Sequence, residues 1–101
     1  MSPLETPLPG IEVRPVEESK HRREPGFLVI CWNDPVNDIA YVTHVFQTVF
    51  GWNRRTAEQH TMEVHEQGKS VLARESFEKA EFYVHQLQKF SLQATLEPVE
   101  D

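Results

Sequence analysis

Phe27-Leu28-Val29-Ile30-Cys31-Trp32-Asn33-Asp34-Pro35-Val36-Asn37-Asp38 contains the change of pattern that decides the fold. Its first six residues are a continuous apolar run with β-branched and aromatic members. Pro25-Gly26 precedes the run and Asn33-Asp34-Pro35 follows it. That length and punctuation predict a buried central strand rather than a helix. Beyond the turn, Ile39, Val42, Val45, Phe46, Val49 and Phe50 recur at steps of three and four, the apolar stripe of an amphipathic helix over 39–50. The junction must therefore turn sharply and start a helix. It gathers Asn33, Asp34, Asn37 and Asp38 within a few residues. Asn37 is the expected N-cap, with Asp38 in the first turn, where the helix dipole favours an anion. Asn33 and Asp34 are left over for a ligand.

Working outward, Gly51 is the expected C′ residue of that helix. Asn53 then caps a second helix over Arg54 to Gln67, closed by Gly68. Ala57, Thr61 and Val64 are its inward positions, with Met62 and His65 as further candidates. Only Gly51-Trp52-Asn53 separates the two helices, which makes a helix corner. Ser70 to Ala73 reads as a second strand. Ser76 caps a third helix with Phe77, Ala80, Val84 and Leu87 on one stripe. Leu92, Ala94 and Leu96 then alternate with Gln93, Thr95 and Glu97, a half-buried strand that Pro98 limits. The order β-α-α-β-α-β predicts an α+β fold in which a three-stranded antiparallel sheet packs against three helices.

Residues 1–26 stand apart. They hold five of the seven prolines and no aromatic residue. Their charge run, Glu17 to Glu24, interrupts any apolar period. Such a segment cannot bury enough apolar surface to offset the entropy of ordering it, so 1–26 is expected to be a flexible, disordered extension and 27–101 the folded core. The chain carries a net charge of −6, of which −5 falls on residues 27–101. An acidic core without a basic stripe argues against nucleic acid as a partner and suits a cationic ligand group. One cysteine, Cys31, excludes an intramolecular disulfide. No apolar run approaches membrane-spanning length, so the expectation is a soluble, cytoplasmic protein without a membrane partner.

The chemistry-bearing residues do not compose a catalytic or metal set. Cys31 falls inside the predicted strand, where a thiol is usually packing. No serine has an elbow context, and the five histidines show no ligand spacing. Gly68-Lys69-Ser70 resembles the end of a phosphate loop, but Glu63 stands where that loop needs glycine and the strand–loop–helix order is reversed. The expectation is a non-enzyme with no cofactor and no metal.

His65 is different, because it sits near the end of the second helix, one turn after Thr61. Read alone, it is as well explained by a backbone hydrogen bond as by a ligand. Combined with Asn33 and Asp34 it completes a ring of acceptors: an amide oxygen, a carboxylate and a neutral imidazole. Such a ring suits an ammonium group. Ile39, Val42 and Val64 would line a pocket below it, so the ligand would have an amine head and an apolar body.

At these residues the chain resembles the adaptor proteins of the Clp protease, the ClpS family. The resemblance is carried by Val29-Ile30-Cys31-Trp32-Asn33-Asp34-Pro35-Val36-Asn37, by Tyr41 to Phe50, by Val64-His65-Glu66-Gln67-Gly68-Lys69 and by Ala94-Thr95-Leu96-Glu97. It covers residues 27 to 97. It implies an adaptor that binds proteins whose free N-terminal residue is bulky and hydrophobic, chiefly Leu, Phe, Tyr or Trp. Such an N-degron substrate is delivered to an AAA+ unfoldase, ClpA or ClpC, working with the ClpP peptidase. By the same resemblance Asn33 and His65 hold the α-amino group. Ile39, Val42, Thr61, Val64 and Leu92 line the side-chain pocket, and Glu78 docks on the unfoldase N-terminal domain. Pro35 stands where many members have a second Asp, which leaves Asp34 or Asn37 to supply that acceptor. Ile39 and Thr61 stand where many members have Met, and Tyr83 where some have a docking lysine.

Burying a leucine or aromatic side chain contributes roughly 1.5–3 kcal/mol, and each hydrogen bond to a charged group a similar amount. Micromolar binding needs about −8 kcal/mol, so only both together reach it. An internal leucine lacks the ammonium, and an N-terminal lysine lacks the apolar body. The alternative reading is a modulator that only docks on the unfoldase, motivated by the acidic core and the long extension. A third, a ribosomal stalk-like domain, predicts no selectivity for an amine.

Overall fold

The computed structural model describes residues 26–99. The expected extension over 1–26 therefore lies, except for Gly26, outside the described residues. The elements are β1 (Phe27–Trp32), α1 (Ile39–Phe50), α2 (Arg54–Gln67), β2 (Lys69–Glu75), α3 (Phe77–Lys89) and β3 (Gln93–Pro98). β1 is the central strand, antiparallel to β2 on one side and β3 on the other. This is the predicted α+β architecture in the predicted order.

The continuous apolar run of β1 follows from that central position. Val29 and Cys31 enter the core with exposures of 0% and 2%, and both backbone edges are paired. α3 packs across all three strands, burying Ala80, Val84 and Leu87, while α2 packs between α1 and β2. α1 is rich in β-branched residues, which propensity disfavours in a helix. It is held by the burial of Val42, Val45 and Phe46, and full burial of a phenylalanine alone contributes roughly 1.5–3 kcal/mol. The α1–α2 corner is fixed by stacking. Trp52 lies between the rings of Phe50 and His60, with 4.6 Å between centroids on each side.

Several expectations change in detail, and one is Phe77, which the stripe of α3 sets with Ala80, Val84 and Leu87 but which is 47% exposed. The N-cap of α1 is Asp38, not Asn37: the Asp38 carboxylate accepts from Tyr41 N–H at 2.8 Å. The carboxylate serves the orphan amides directly, and Asn37 is released to reach elsewhere. β2 is longer than Ser70–Ala73, because ladder pairing with β1 recruits Lys69, Arg74 and Glu75, whose side chains give no apolar signal. On α2, Ala57, Thr61 and Val64 are buried as expected, whereas Met62 is half-buried and His65 exposed.

The α3–β3 corner is held from α1. The Tyr41 hydroxyl donates to Phe90 O at 2.8 Å, and the Asn37 amide nitrogen donates to Ser91 O at 2.9 Å. Ser91 itself adopts φ 70°, in the left-handed region. These two bonds sit beside Leu92 and so fix where it enters the fold.

Replacing the cap residue tests the revised helix start. Asp38→Ala is expected to cost about 1 kcal/mol of stability, read as a lower urea midpoint at unchanged slope. An unchanged midpoint would return the cap to Asn37.

Candidate functional site

A small cleft opens where the β1–α1 turn, the end of α2 and the α3–β3 corner meet. Each wall has a local cause. β1 stops at Asn33 because the polar turn begins there. The Asn33 N–H then donates to Gly68 O at 2.9 Å, which sews the turn to the C-cap of α2. Gly68 takes φ 91° to make that cap, and its own N–H closes the last helical turn on Val64 O. The strand end and the helix end are thereby held together, which brings Asn33 and His65 to one mouth.

Within the turn, Asp34 Oδ1 accepts from Val36 N–H at 2.8 Å. Its other oxygen lies 3.5 Å from the Asn37 amide nitrogen, at the limit of a hydrogen bond. Asp34 thus orders the turn with one oxygen and keeps most of the capacity of the second. Asn37 is a brace: its amide nitrogen joins this turn to Ser91 O.

The structure places Asn33, Asp34, Asn37, Ile39, Val42, Thr61, Val64, His65 and Leu92 around this one cleft. Asn33 and His65 are exposed at the mouth and Asp34 and Asn37 are half-buried. Ile39 is 41% exposed and forms the rim, while Val42, Val64, Leu92 and Thr61 are buried further in. Glu78 is elsewhere, exposed in the first turn of α3. Two lining residues were missed by the sequence reading, Cys31 and Trp32. Strand alternation carried the signal for Cys31, since it faces the helices together with Val29. Trp32 is held by a hydrogen bond from Nε1 to Thr95 Oγ1 at 2.9 Å, and Lys69 Nζ lies 5.2 Å from its ring centroid.

The arrangement is amphipathic along its depth. Its outer end presents hydrogen-bond acceptors and a carboxylate, and its inner end presents aliphatic side chains, a thiol and Thr61. That combination accommodates a cation attached to an apolar body. Burial, and secondarily the charge of Asp34, push the Cys31 thiol from 9.0 up to about 12, which favours its protonated form.

One other polar cluster invites a catalytic reading. His60 Nδ1 lies 2.8 Å from Ser70 Oγ, and Ser70 Oγ donates to the Glu63 carboxylate. Ser70 has one proton, which goes to Glu63, so it accepts from His60. In a nucleophile–base pair the serine donates to the histidine. This cluster is a structural link between α2 and β2. Among the described residues no group of three or more metal-ligating side chains converges. No described helix is long and apolar enough to cross a membrane.

Fold and cleft together define a small α+β domain with an acceptor-lined mouth over an apolar pocket. Residues 22–98 match the family model for the ATP-dependent Clp protease adaptor protein ClpS. The chain is 45% identical over 71 residues to the ATP-dependent Clp protease adapter protein ClpS of Corynebacterium jeikeium, covering 70% of each chain. It is 38% identical over 96 residues to the protein of that name from Rhodococcus opacus, covering 95% of this chain and 82% of the relative. The solved structure of Agrobacterium tumefaciens ClpS2 bound to L-phenylalaninamide superposes with a TM-score of 0.70 at 26% identity. That match covers 75% of this chain and 99% of the other. The chain belongs to the ClpS family of Clp protease adaptors.

Cys31 supplies a probe of the cleft's inner wall. An acid whose pKa is raised on folding stabilises the fold below its unfolded value and loses that contribution as pH rises toward the folded value. Stability is therefore expected to fall between pH 9 and 12 on account of Cys31, and Cys31→Ala should flatten that slope. At pH 8 the native thiol should resist a disulfide-exchange reagent that titrates it fully in urea. Rapid native labelling would contradict the buried placement.

Proposed function

We propose that this protein is an N-degron adaptor. It holds a free, bulky hydrophobic N-terminal residue in the cleft and presents its bearer to a Clp AAA+ unfoldase. The observation that carries this reading is the amphipathic cleft, with acceptors at the mouth and an apolar pocket behind them. The L-phenylalaninamide bound to the related ClpS2 has the matching chemistry, a free amine beside an aromatic side chain. Membership of the adaptor family supports a role without catalysis, since the protease is the partner.

In this reading Asn33, Asp34 and His65 receive the ammonium group. Each is an acceptor at the mouth, and the −5 charge of residues 27–101 favours the approach of a cation. Asn37 serves by holding Asp34 and the Leu92 corner in place. Pro35 removes the acid that many relatives have at that position, and Asp34, one residue earlier, supplies the negative charge. Ile39, Val42, Thr61, Val64 and Leu92 enclose the side chain. Glu78, exposed on α3 and outside the cleft, is assigned to docking on the N-terminal domain of ClpA or ClpC, so substrate and unfoldase occupy different surfaces. The expected place of action is the cytoplasm.

Fluorescence anisotropy with a Leu-first peptide and its N-acetylated twin tests the reading. The free amine is expected to bind at micromolar affinity or better and the acetylated peptide at least tenfold more weakly. Equal binding of the two would sink it and leave the docking-only modulator. His65→Ala is expected to weaken the free-amine peptide by roughly tenfold or more, the value of one hydrogen bond to a charged group. Because His65 is exposed, its thermal midpoint should stay close to that of the parent. A large drop in midpoint would instead assign His65 to the fold.

A further inference from the structure

Burial increases along the cleft, and its inner end carries a single side-chain hydroxyl. Ile39 at the rim is 41% exposed, whereas Leu92 is 4%, Cys31 2% and Thr61 2%. Among the described residues, Thr61 is the only hydroxyl-bearing one that lines the cleft. The other buried lining residues, Val42, Val64, Leu92 and Cys31, carry no oxygen in their side chains.

The protons around this oxygen can be counted. Thr61 Oγ1 lies 2.9 Å from Ala57 O and 3.0 Å from Thr43 Oγ1. Thr43 Oγ1 also lies 2.8 Å from Ile39 O. A hydroxyl has one proton and two acceptor sites. The Thr61 proton goes to Ala57 O, one turn earlier on α2. Thr43 then gives its proton either to Thr61 or to Ile39 O. In the first case one acceptor site on Thr61 stays unfilled, and in the second case both do. Thr61, a lining residue of the pocket, therefore keeps acceptor capacity and has no proton left to offer.

An acceptor at the inner end of an apolar pocket favours a side chain with a donor at its tip. Among bulky hydrophobic first residues, tyrosine carries its hydroxyl at the far end of the ring. Phenylalanine has nothing there, and leucine is shorter and has no polar atom. We propose that Thr61 is a specificity-determining residue, and that its hydroxyl oxygen accepts a hydrogen bond from an N-terminal tyrosine and ranks it above phenylalanine. Without such an acceptor, buried tyrosine leaves its hydroxyl unpaired and is disfavoured. This inference rests on the reading of the cleft as a receptor for N-terminal residues.

The test uses the full chain and peptides that differ only at the first residue: tyrosine, phenylalanine and 4-fluorophenylalanine, the last filling the same space without a donor. Competition anisotropy on the parent protein is expected to show tyrosine binding at least as tightly as both others. Thr61→Val, which keeps the shape and removes the oxygen, is expected to shift the Tyr-to-Phe affinity ratio against tyrosine by roughly two- to tenfold, the span of one net hydrogen bond. Thr61→Ser is expected to keep the parental ratio. The ratio is the readout, so a general loss of affinity or stability in a variant does not mimic the effect. An unchanged ratio in Thr61→Val overturns the proposal. So does a parent protein that binds tyrosine more than roughly threefold more weakly than 4-fluorophenylalanine, and this arm decides if Thr61→Val does not fold. N-acetylated tyrosine peptide is the control. If it binds as well as the free amine, the receptor reading fails. If amine selectivity holds while the ratio is flat, only the role of Thr61 fails.

Discussion

The backbone hydrogen bond from Asn33 N–H to Gly68 O is the contact on which the cleft depends. It joins the end of the central strand to the end of α2, two points far apart in the chain. Each side of the bond has its own necessity. β1 must end in a turn because its apolar run gives way to short polar residues. α2 must end at Gly68 because a left-handed C-cap at φ 91° suits a residue without a Cβ. Joining the two ends sets the exposed side chains of Asn33 and His65 on one rim. It also aligns the buried faces behind them, β1 through Cys31 and α2 through Thr61 and Val64.

The β1–α1 turn divides its polar residues among separate tasks. Asp38 caps α1, Asp34 closes the turn on Val36 N–H, and Asn37 braces the turn against the α3–β3 corner. Asn33 spends its backbone on the α2 end and leaves its side chain at the mouth. Such density of short polar side chains is expected wherever a strand converts to a helix within a few residues. The cleft arises because those structural bonds consume some acceptors and leave others facing outward. On the opposite wall Tyr41 and Asn37 hold the carbonyls of Phe90 and Ser91, so Leu92 enters the pocket from a corner that is tied down twice.

Much of this was legible in the chain. The apolar run of β1, the helical steps of α1 and the Gly51 and Gly68 stops set the element order, because period and punctuation are local properties. The nine cleft residues could be nominated through the family pattern, since Asn33-Asp34 and Val64-His65 keep a fixed local spacing to elements already placed. The misses have a common cause. Asn37 reads as a cap because its real partner, Ser91 O, lies in another element. Lys69, Arg74 and Glu75 read as loop because only pairing with β1 makes them strand. Cys31 reads as inert packing, which it is, yet the surface it packs against is also the inner wall of the cleft.

The sequence by itself determined the elements, their order, the acidic balance and the residue types available for recognising an amine. These follow from backbone preference, apolar period and charge, all of which act over a few residues. Tertiary structure alone decided how those residues are shared between fold and site. Which carboxylate caps the helix, which oxygen of Asp34 stays available, and which way the Thr61 proton points depend on atoms brought together from distant segments. Hydrogen bonds are short and directional, so their partners become definite only once the strand, helices and corners are packed.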